Sequence, residues 1–105
     1  MIKIRFTHSD GNLVAFSLSG HSGYAQQGED IVCAAVSSAA YMTANTLTEI
    51  LALQPDISLS DGKMTVELSS VEAVRAQDIL RGFSLHMEEL SKQYPDNITY
   101  IITEV

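Results

Sequence analysis

The sequence contains a single cysteine, Cys33, so it cannot form a disulfide within the chain. Basic residues are also few: six lysines and arginines face thirteen aspartates and glutamates, which leaves a net charge of −7. Nucleic-acid binding usually needs clustered Lys and Arg, and these six are scattered along the chain, so we expect no direct contact with nucleic acid. The excess of negative charge either attracts a basic protein partner or only keeps the protein in solution.

Signal, membrane and metal-binding patterns are absent as well. The N-terminus MIKIRFTHSD is too polar for the core of a secretory signal, and no apolar run approaches the roughly 18 residues of a membrane span. With one cysteine and three dispersed histidines, no four-ligand metal set is available, and we expect no metal and no other cofactor. These absences predict a cytoplasmic protein without membrane contact, in which Cys33 remains a thiol.

Length and patterning predict one small α+β domain over residues 1–105. Apolar and polar residues alternate over 2–8 and over 13–19, on either side of an Asp10-Gly11-Asn12 turn, which is typical of a β-hairpin. A long helix should then run from about residue 30 to residue 53, where Gln54-Pro55-Asp56 ends it.

The second half of the chain repeats this order. Strands are predicted over 57–59 and 63–68, around a Ser60-Asp61-Gly62 turn. A second helix begins near Ser69, which has capping-box spacing to Glu72, and a last strand covers 98–103. The order ββαββαβ predicts two long helices packed on one mainly antiparallel sheet.

Residues 20–37, GHSGYAQQGEDIVCAAVS, place the one thiol at the predicted start of the first helix. A thiol is nucleophilic only as the thiolate. The unpaired backbone N–H groups of a first helical turn, together with the helix dipole, favour a negative charge at Cys33. The same N–H groups could donate to an oxyanion that forms on an attacked carbonyl.

A base for this thiol is available in His21, which follows the second predicted strand, because a strand end and the next helix start can meet at one edge of a layered fold. The glycines between the two, Gly23 and Gly28 after Gly20, would let the intervening loop close over a substrate. Asp30 either caps the helix or orients His21.

Ser37, one turn after Cys33, either contacts a substrate or allows close packing. The small residues of the same helix suit close helix contact, either within the chain or across a dimer interface: Ala34, Ala35, Ser38, Ala39 and Ala44.

Each of these residues also has a structural interpretation. A single cysteine is more often a buried apolar residue than a nucleophile, and a histidine near a strand end is commonly a surface residue. A glycine-rich loop before a helix can hold phosphate, but the Walker spacing and its lysine are missing here.

The 20–37 stretch resembles the signature of the Prp family of ribosomal-processing cysteine proteases: a Gly-His pair, a glycine-containing loop, then Gly-x-Asp-Ile-Val-Cys, small residues and Ser. Gly20-His21, Gly28, Asp30 to Cys33 and Ser37 fill that pattern. The resemblance extends to the length and element order.

The resemblance implies a cytoplasmic cysteine endopeptidase with a Cys33–His21 dyad, in which Asp30 and Ser37 support the site. Its substrate would be the N-terminal extension of a large-subunit ribosomal protein, cleaved after a phenylalanine. The family also implies a homodimer and a loop that orders on substrate binding. Two alternatives stay open: a non-catalytic acidic module that binds a ribosomal protein during assembly, and a thiol redox sensor, which would lack a resolving cysteine in this chain.

Overall fold

The structure, a computed structural model, describes residues 1–20 and 31–105 of the chain. In these ranges five strands and three α-helices follow the predicted order, with the second predicted helix divided in two. The elements are β1 (Ile2–Ser9), β2 (Asn12–Gly20), α1 (Ile31–Asn45), β3 (Asp56–Ser60), β4 (Lys63–Glu67), α2 (Ser70–Arg75), α3 (Gln77–Gln93) and β5 (Ile98–Glu104).

The strands form one mixed sheet in the order β3-β4-β2-β1-β5. Neighbouring strands are antiparallel except β1 and β5, which run parallel from the pair Ile2 and Ile98. The predicted α+β class with a mainly antiparallel sheet is therefore confirmed. The sequence order alone did not indicate that the last strand would lie beside the first one.

Both predicted hairpins form around Asp-Gly pairs. Asp10 and Gly11 connect β1 to β2 with φ angles of 52° and 82°. Two consecutive positive φ angles are what a tight hairpin turn requires, and Asp and Gly tolerate them better than most residues do. Asp61 and Gly62 connect β3 to β4 in the same number of residues.

One face of the sheet carries the core and all three described helices pack on that face. Alternate strand residues such as Ile4 and Phe16 are buried there, whereas their strand neighbours are not. Three phenylalanines, Phe6, Phe16 and Phe83, meet with ring centroids 4.9 to 5.9 Å apart, two of the contacts being edge-on. Edge-on packing of this kind contributes about 0.5–1.5 kcal/mol per pair beyond area burial.

Helix α1 continues into a π-helical turn, Thr46–Ile50, so the helical segment ends just short of the predicted residue 53. The Leu51 N–H donates to the Thr46 carbonyl, five residues back, at 2.9 Å. By length and composition alone, Ile31–Ile50 could cross a membrane. In the fold its buried residues, among them Val32, Val36 and Leu47, belong to the core against the sheet.

The second predicted helix is interrupted at Ala76, which separates α2 from α3. Its start is the predicted capping box: the Ser69 side chain accepts from the Glu72 N–H at 3.2 Å. The Glu72 carboxylate also accepts from the Gln54 N–H at 2.8 Å, and this bond is the largest cause that lowers the pKa of Glu72. The segment after α1 is thereby joined to the start of α2.

Candidate active site

Cys33 is the third residue of α1, so the thiol lies in the first turn of the helix, as predicted. The backbone N–H groups of this turn have no acceptor within the helix. Cys33 is partly exposed and also packs against the core, so its side chain lies between the interior and the surface. The alternative of a buried apolar cysteine is therefore met only in part.

Cys33 borders a cleft of about 280 Å³ between α1 and the β3–β4 hairpin. The floor is formed by core residues of β1, β2 and α1, and the far wall by residues on both sides of the β3–β4 turn. Most of the side chains that face it are apolar. The lining residues are Ile2, Leu18, Ser19, Gly20, Cys33, Val36, Ser37, Ala40, Tyr41, Leu59, Ser60, Gly62, Lys63 and Met64.

Gly20, the last residue of β2, forms one corner of this cleft and has φ +91°. Its N–H donates to the Gly62 carbonyl at 2.8 Å, which fixes the end of β2 to the β3–β4 turn. A Cβ on residue 20 would overlap the carbonyl oxygen of Met1. Both the φ angle and this close approach therefore require glycine at the position where β2 meets the cleft.

Ser37 and Tyr41 extend the line of Cys33 along the cleft, each one helical turn further on. Ser37 is partly exposed, which leaves both of its predicted roles available. Tyr41, which the sequence analysis did not single out, is 52% exposed. The four-residue spacing of Cys33, Ser37 and Tyr41 was the signal that could have identified it.

The other predicted site residues fall outside the described part of the chain. His21, Gly23, Gly28 and Asp30 all lie in the 21–30 range, so their predicted roles stay predictions. Gly20 immediately precedes that range and Ile31 immediately follows it.

The other two histidines do not lie at this cleft. His8 is near the far end of β1 from Ile2 and lines a separate cleft of about 550 Å³ with Arg81 and Tyr100. His8 is six residues along β1 from Ile2, a distance of about 20 Å. His86 is exposed on α3, a helix that contributes no residue to the Cys33 cleft.

A partly exposed thiol in the first turn of a helix, beside a mostly apolar cleft of a layered α+β fold, is an arrangement typical of cysteine hydrolases. The family model of cysteine protease Prp matches residues 1–99. The chain therefore belongs to the Prp family and is a cysteine endopeptidase.

Individual relatives agree with this membership. The ribosomal processing cysteine protease Prp of Bacillus subtilis is 28% identical over 101 residues, which cover 90% of this chain and 89% of the relative. The crystal structure of the essential Prp of Staphylococcus aureus with a covalently linked product peptide has a TM-score of 0.90, 26% identity, and coverage of 97% and 99%. The same S. aureus protease in complex with a substrate peptide gives a TM-score of 0.84 and 25% identity, with coverage of 97% and 99%.

Proposed function

We propose that this protein removes the N-terminal extension of a large-subunit ribosomal protein by cleaving after a phenylalanine, with Cys33 as nucleophile and His21 as general base. The observation that carries the proposal is the position of Cys33 in the first turn of α1, at the border of a mostly apolar cleft. Family membership supplies the reaction class.

The chemistry follows from that position. His21 accepts the thiol proton, and the Cys33 thiolate attacks the carbonyl carbon of the substrate phenylalanine. First-turn N–H groups of α1 donate to the oxyanion that forms. Collapse of the intermediate breaks the peptide bond, and His21 returns the proton to the leaving amine. Water, activated by His21, then hydrolyses the thioester and restores the thiol.

His21 is chosen as the base because the other two histidines lie away from the cleft and because His21 follows a residue that lines it. His8 and His86 are remote from the Cys33 cleft. His21 is bonded directly to Gly20, which lines that cleft. Asp30 directly precedes α1, where a carboxylate either caps the helix or orients an imidazole.

The remaining residues of the proposed site act on the substrate and on the loop. Ser37 would contact the bound peptide, since it lies one turn from Cys33 along the same cleft. Gly23 and Gly28 would let the segment between His21 and Cys33 close when the correct peptide is bound, which limits cleavage of other proteins.

The substrate class follows from the cleft and the charge. Apolar residues of α1 and four strands, including Val36, Leu59 and Met64, line the cleft and suit a phenylalanine side chain. The net charge of −7 favours encounter with a basic ribosomal protein. The S. aureus relative is described with a substrate peptide and with a covalently linked product peptide, which agrees with a peptide substrate here.

A cytoplasmic homodimer of this single domain completes the proposal. Helix α1 has no charged residue between Ile31 and Asn45, yet Ile31 and Met42 are more than half exposed. They share one face of the helix with Ala34 and Ser38, next to the stripe that borders the cleft. An uncharged exposed helix face of this kind suits a second copy of the chain.

Peptide cleavage tests the dyad. A synthetic peptide that spans the junction between the extension and the mature ribosomal protein is incubated with purified enzyme, and the products are identified by mass spectrometry. Cys33→Ala and His21→Ala should each abolish cleavage without lowering the thermal unfolding midpoint. His8→Ala and His86→Ala are matched controls that should retain activity.

Other results would contradict the proposal. Full activity in Cys33→Ala removes the thiol from the mechanism and favours the binding module. Loss of activity in His86→Ala but not in His21→Ala would overturn the choice of base. Equal cleavage of a peptide whose phenylalanine is replaced by serine would overturn the proposed specificity.

A further inference from the structure

The face of the sheet opposite the helices gathers half of the chain's cations. In the residues that the structure describes, no helix packs on this open face, which we define by alternate strand residues such as Ser17, Ser58 and Thr99. Lys3, Arg5 and Lys63 alternate with the buried residues Ile2, Ile4 and Met64, so their side chains project from the open face. The chain has only six lysines and arginines.

The strand register brings these three cations together although they are far apart in sequence. Lys3 pairs with Ser19 across β1 and β2, and Ser19 pairs with Lys63 across β2 and β4. The two lysines are therefore separated by one strand, or about 10 Å. Arg5 lies two residues along β1 from Lys3, about 7 Å away, on the same face.

Among the described strand residues of the open face, the carboxylates lie at the opposite end from the three cations. Asp56 pairs with Glu67, and Glu67 pairs with Ala15, in the row of residues that continues through Thr7 to Thr103. Within the described ranges, no carboxylate lies within ion-pair distance of the three cations; the ion pairs found there join His8 to Glu104 and Glu89 to Lys92. Among the described residues, the three positive charges are therefore not neutralised by an ion pair.

The groups between the cations are hydroxyls. Ser17 and Ser19 of β2 lie between β1 and β4, and Thr65 and Thr99 lie in the same two rows. Lysine, arginine, serine and threonine are the side chains that contact nucleic-acid phosphates, whereas no aromatic side chain is available on these rows for base stacking. The surface therefore suits a phosphate backbone and not an ordered set of bases.

We propose that the open face around Lys3, Arg5 and Lys63 binds the phosphate backbone of RNA, in place of the sequence-based expectation of no direct contact with nucleic acid. Ser19 and Lys63 also line the Cys33 cleft, so the RNA surface and the candidate active site share a border. An enzyme whose net charge repels RNA would contact it only through this patch. The inference stands on the surface chemistry alone; its link to a ribosomal particle rests on the proposed function.

Fluorescence anisotropy of a labelled uridine oligonucleotide tests the proposal with the full chain. Three backbone contacts predict a slope of about −2 for the logarithm of affinity against the logarithm of salt, or roughly a twentyfold loss between 50 and 200 mM. The variant Lys3→Gln/Arg5→Gln/Lys63→Gln should bind at least roughly tenfold more weakly at 50 mM, with a slope near zero.

The helix side of the molecule provides the matched control. Arg75→Gln/Arg81→Gln/Lys92→Gln removes the same charge from the other three cations and should leave affinity and slope close to wild type. Cys33→Ala should also bind normally, which separates this test from that of cleavage. Thermal unfolding checks each triple variant. If the first does not fold, Arg5→Gln alone replaces it, with an expected loss of roughly threefold; if the second does not fold, Arg81→Gln alone replaces it and should bind as wild type.

Three outcomes would overturn the inference. The wild-type protein could show no salt-dependent binding at about 50 mM. The two triple variants could lose affinity equally, which would make the effect one of bulk charge. A labelled polyglutamate peptide could bind more tightly than RNA, with the same dependence on Lys3, Arg5 and Lys63, which would identify the partner as an acidic protein.

Discussion

The two long helices pack on the same sheet face but differ in what they leave at the surface. Helix α3 is amphipathic: Leu80, Phe83 and Met87 face the core, and its five charged residues lie on the outer side. Helix α1 buries a similar stripe but has no charged residue at all. Its outer face carries Tyr41 and Met42 instead.

The difference separates a helix that stabilises the fold from one that also carries the site. The charged outer face of α3 is hydrated by solvent and its apolar face is buried on the sheet. This division is the one expected for a helix whose role is packing. The outer side of α1 borders the cleft through Cys33, Ser37 and Tyr41, and its remaining exposed face is uncharged. The proposed function would account for the uncharged outer side of α1, which packing on the sheet does not explain.

Removal of a core side chain from α3 gives the largest expected effect on stability. Phe83→Ala deletes the ring that meets Phe6 and Phe16 and should lower the free energy of unfolding by about 3–5 kcal/mol, measured by urea denaturation. The cleavage rate per folded molecule should not change, because α3 contributes nothing to the Cys33 cleft.

An exposed residue of the same helix is the control for this substitution. Leu85 is 60% exposed, so Leu85→Ala should change stability by no more than about 0.5 kcal/mol. If Phe83→Ala and Leu85→Ala lowered the free energy of unfolding by similar amounts, the conclusion that only one face of α3 stabilises the fold would be wrong.

A substitution on the outer side of α1 should instead lower the cleavage rate and leave stability almost unchanged. Tyr41→Ala should lower kcat/KM for the junction peptide by roughly tenfold, because Tyr41 forms part of the cleft wall, while stability changes by about 0.5 kcal/mol or less. Leu85→Ala, which removes a similarly exposed side chain from α3, should leave kcat/KM unchanged. If both variants cleave at the wild-type rate, the substrate does not reach the second turn beyond Cys33.

The sequence predicted the features that local chemistry decides. The Asp-Gly turns, the capping box from Ser69 to Glu72 and the position of Cys33 in a first helical turn follow from residues close together in the chain. The motif around Cys33, with the chain length and element order, predicted the family, and the family model confirms it over residues 1–99.

Features that depend on distant contacts were not predicted. The break at Ala76 accompanies the Gln77 side chain, which accepts from the Leu13 N–H at 2.9 Å and donates to the Leu13 carbonyl at 2.8 Å. The far wall of the cleft comes from β3 and β4, about thirty residues after Cys33 along the chain, and no local pattern indicates that approach. The cluster of cations on the open face was not predicted for the same reason: only the strand register brings Lys3 and Lys63 into one row.

The smallest expected effect lies where the segment after α1 meets the start of α2, at the bond that Glu72 accepts from the Gln54 N–H. The Gln54 bond lowers the pKa of Glu72 below its ordinary value of 4.5, so the folded state favours the charged form. The stabilisation is present above the unfolded pKa and is lost as the pH falls through the folded one.

Glu72→Gln keeps an acceptor for this N–H but removes the charge. Its urea midpoint should therefore lie slightly below that of wild type near pH 7, and the difference should vanish in acid. Glu89→Gln, which removes a charge from an exposed pair with Lys92, should change the midpoint little at either pH. If the urea midpoint of Glu72→Gln stays below that of wild type by the same amount at pH 3, the geometry of the hydrogen bond, and not the ionisation of Glu72, stabilises the contact between Gln54 and the start of α2.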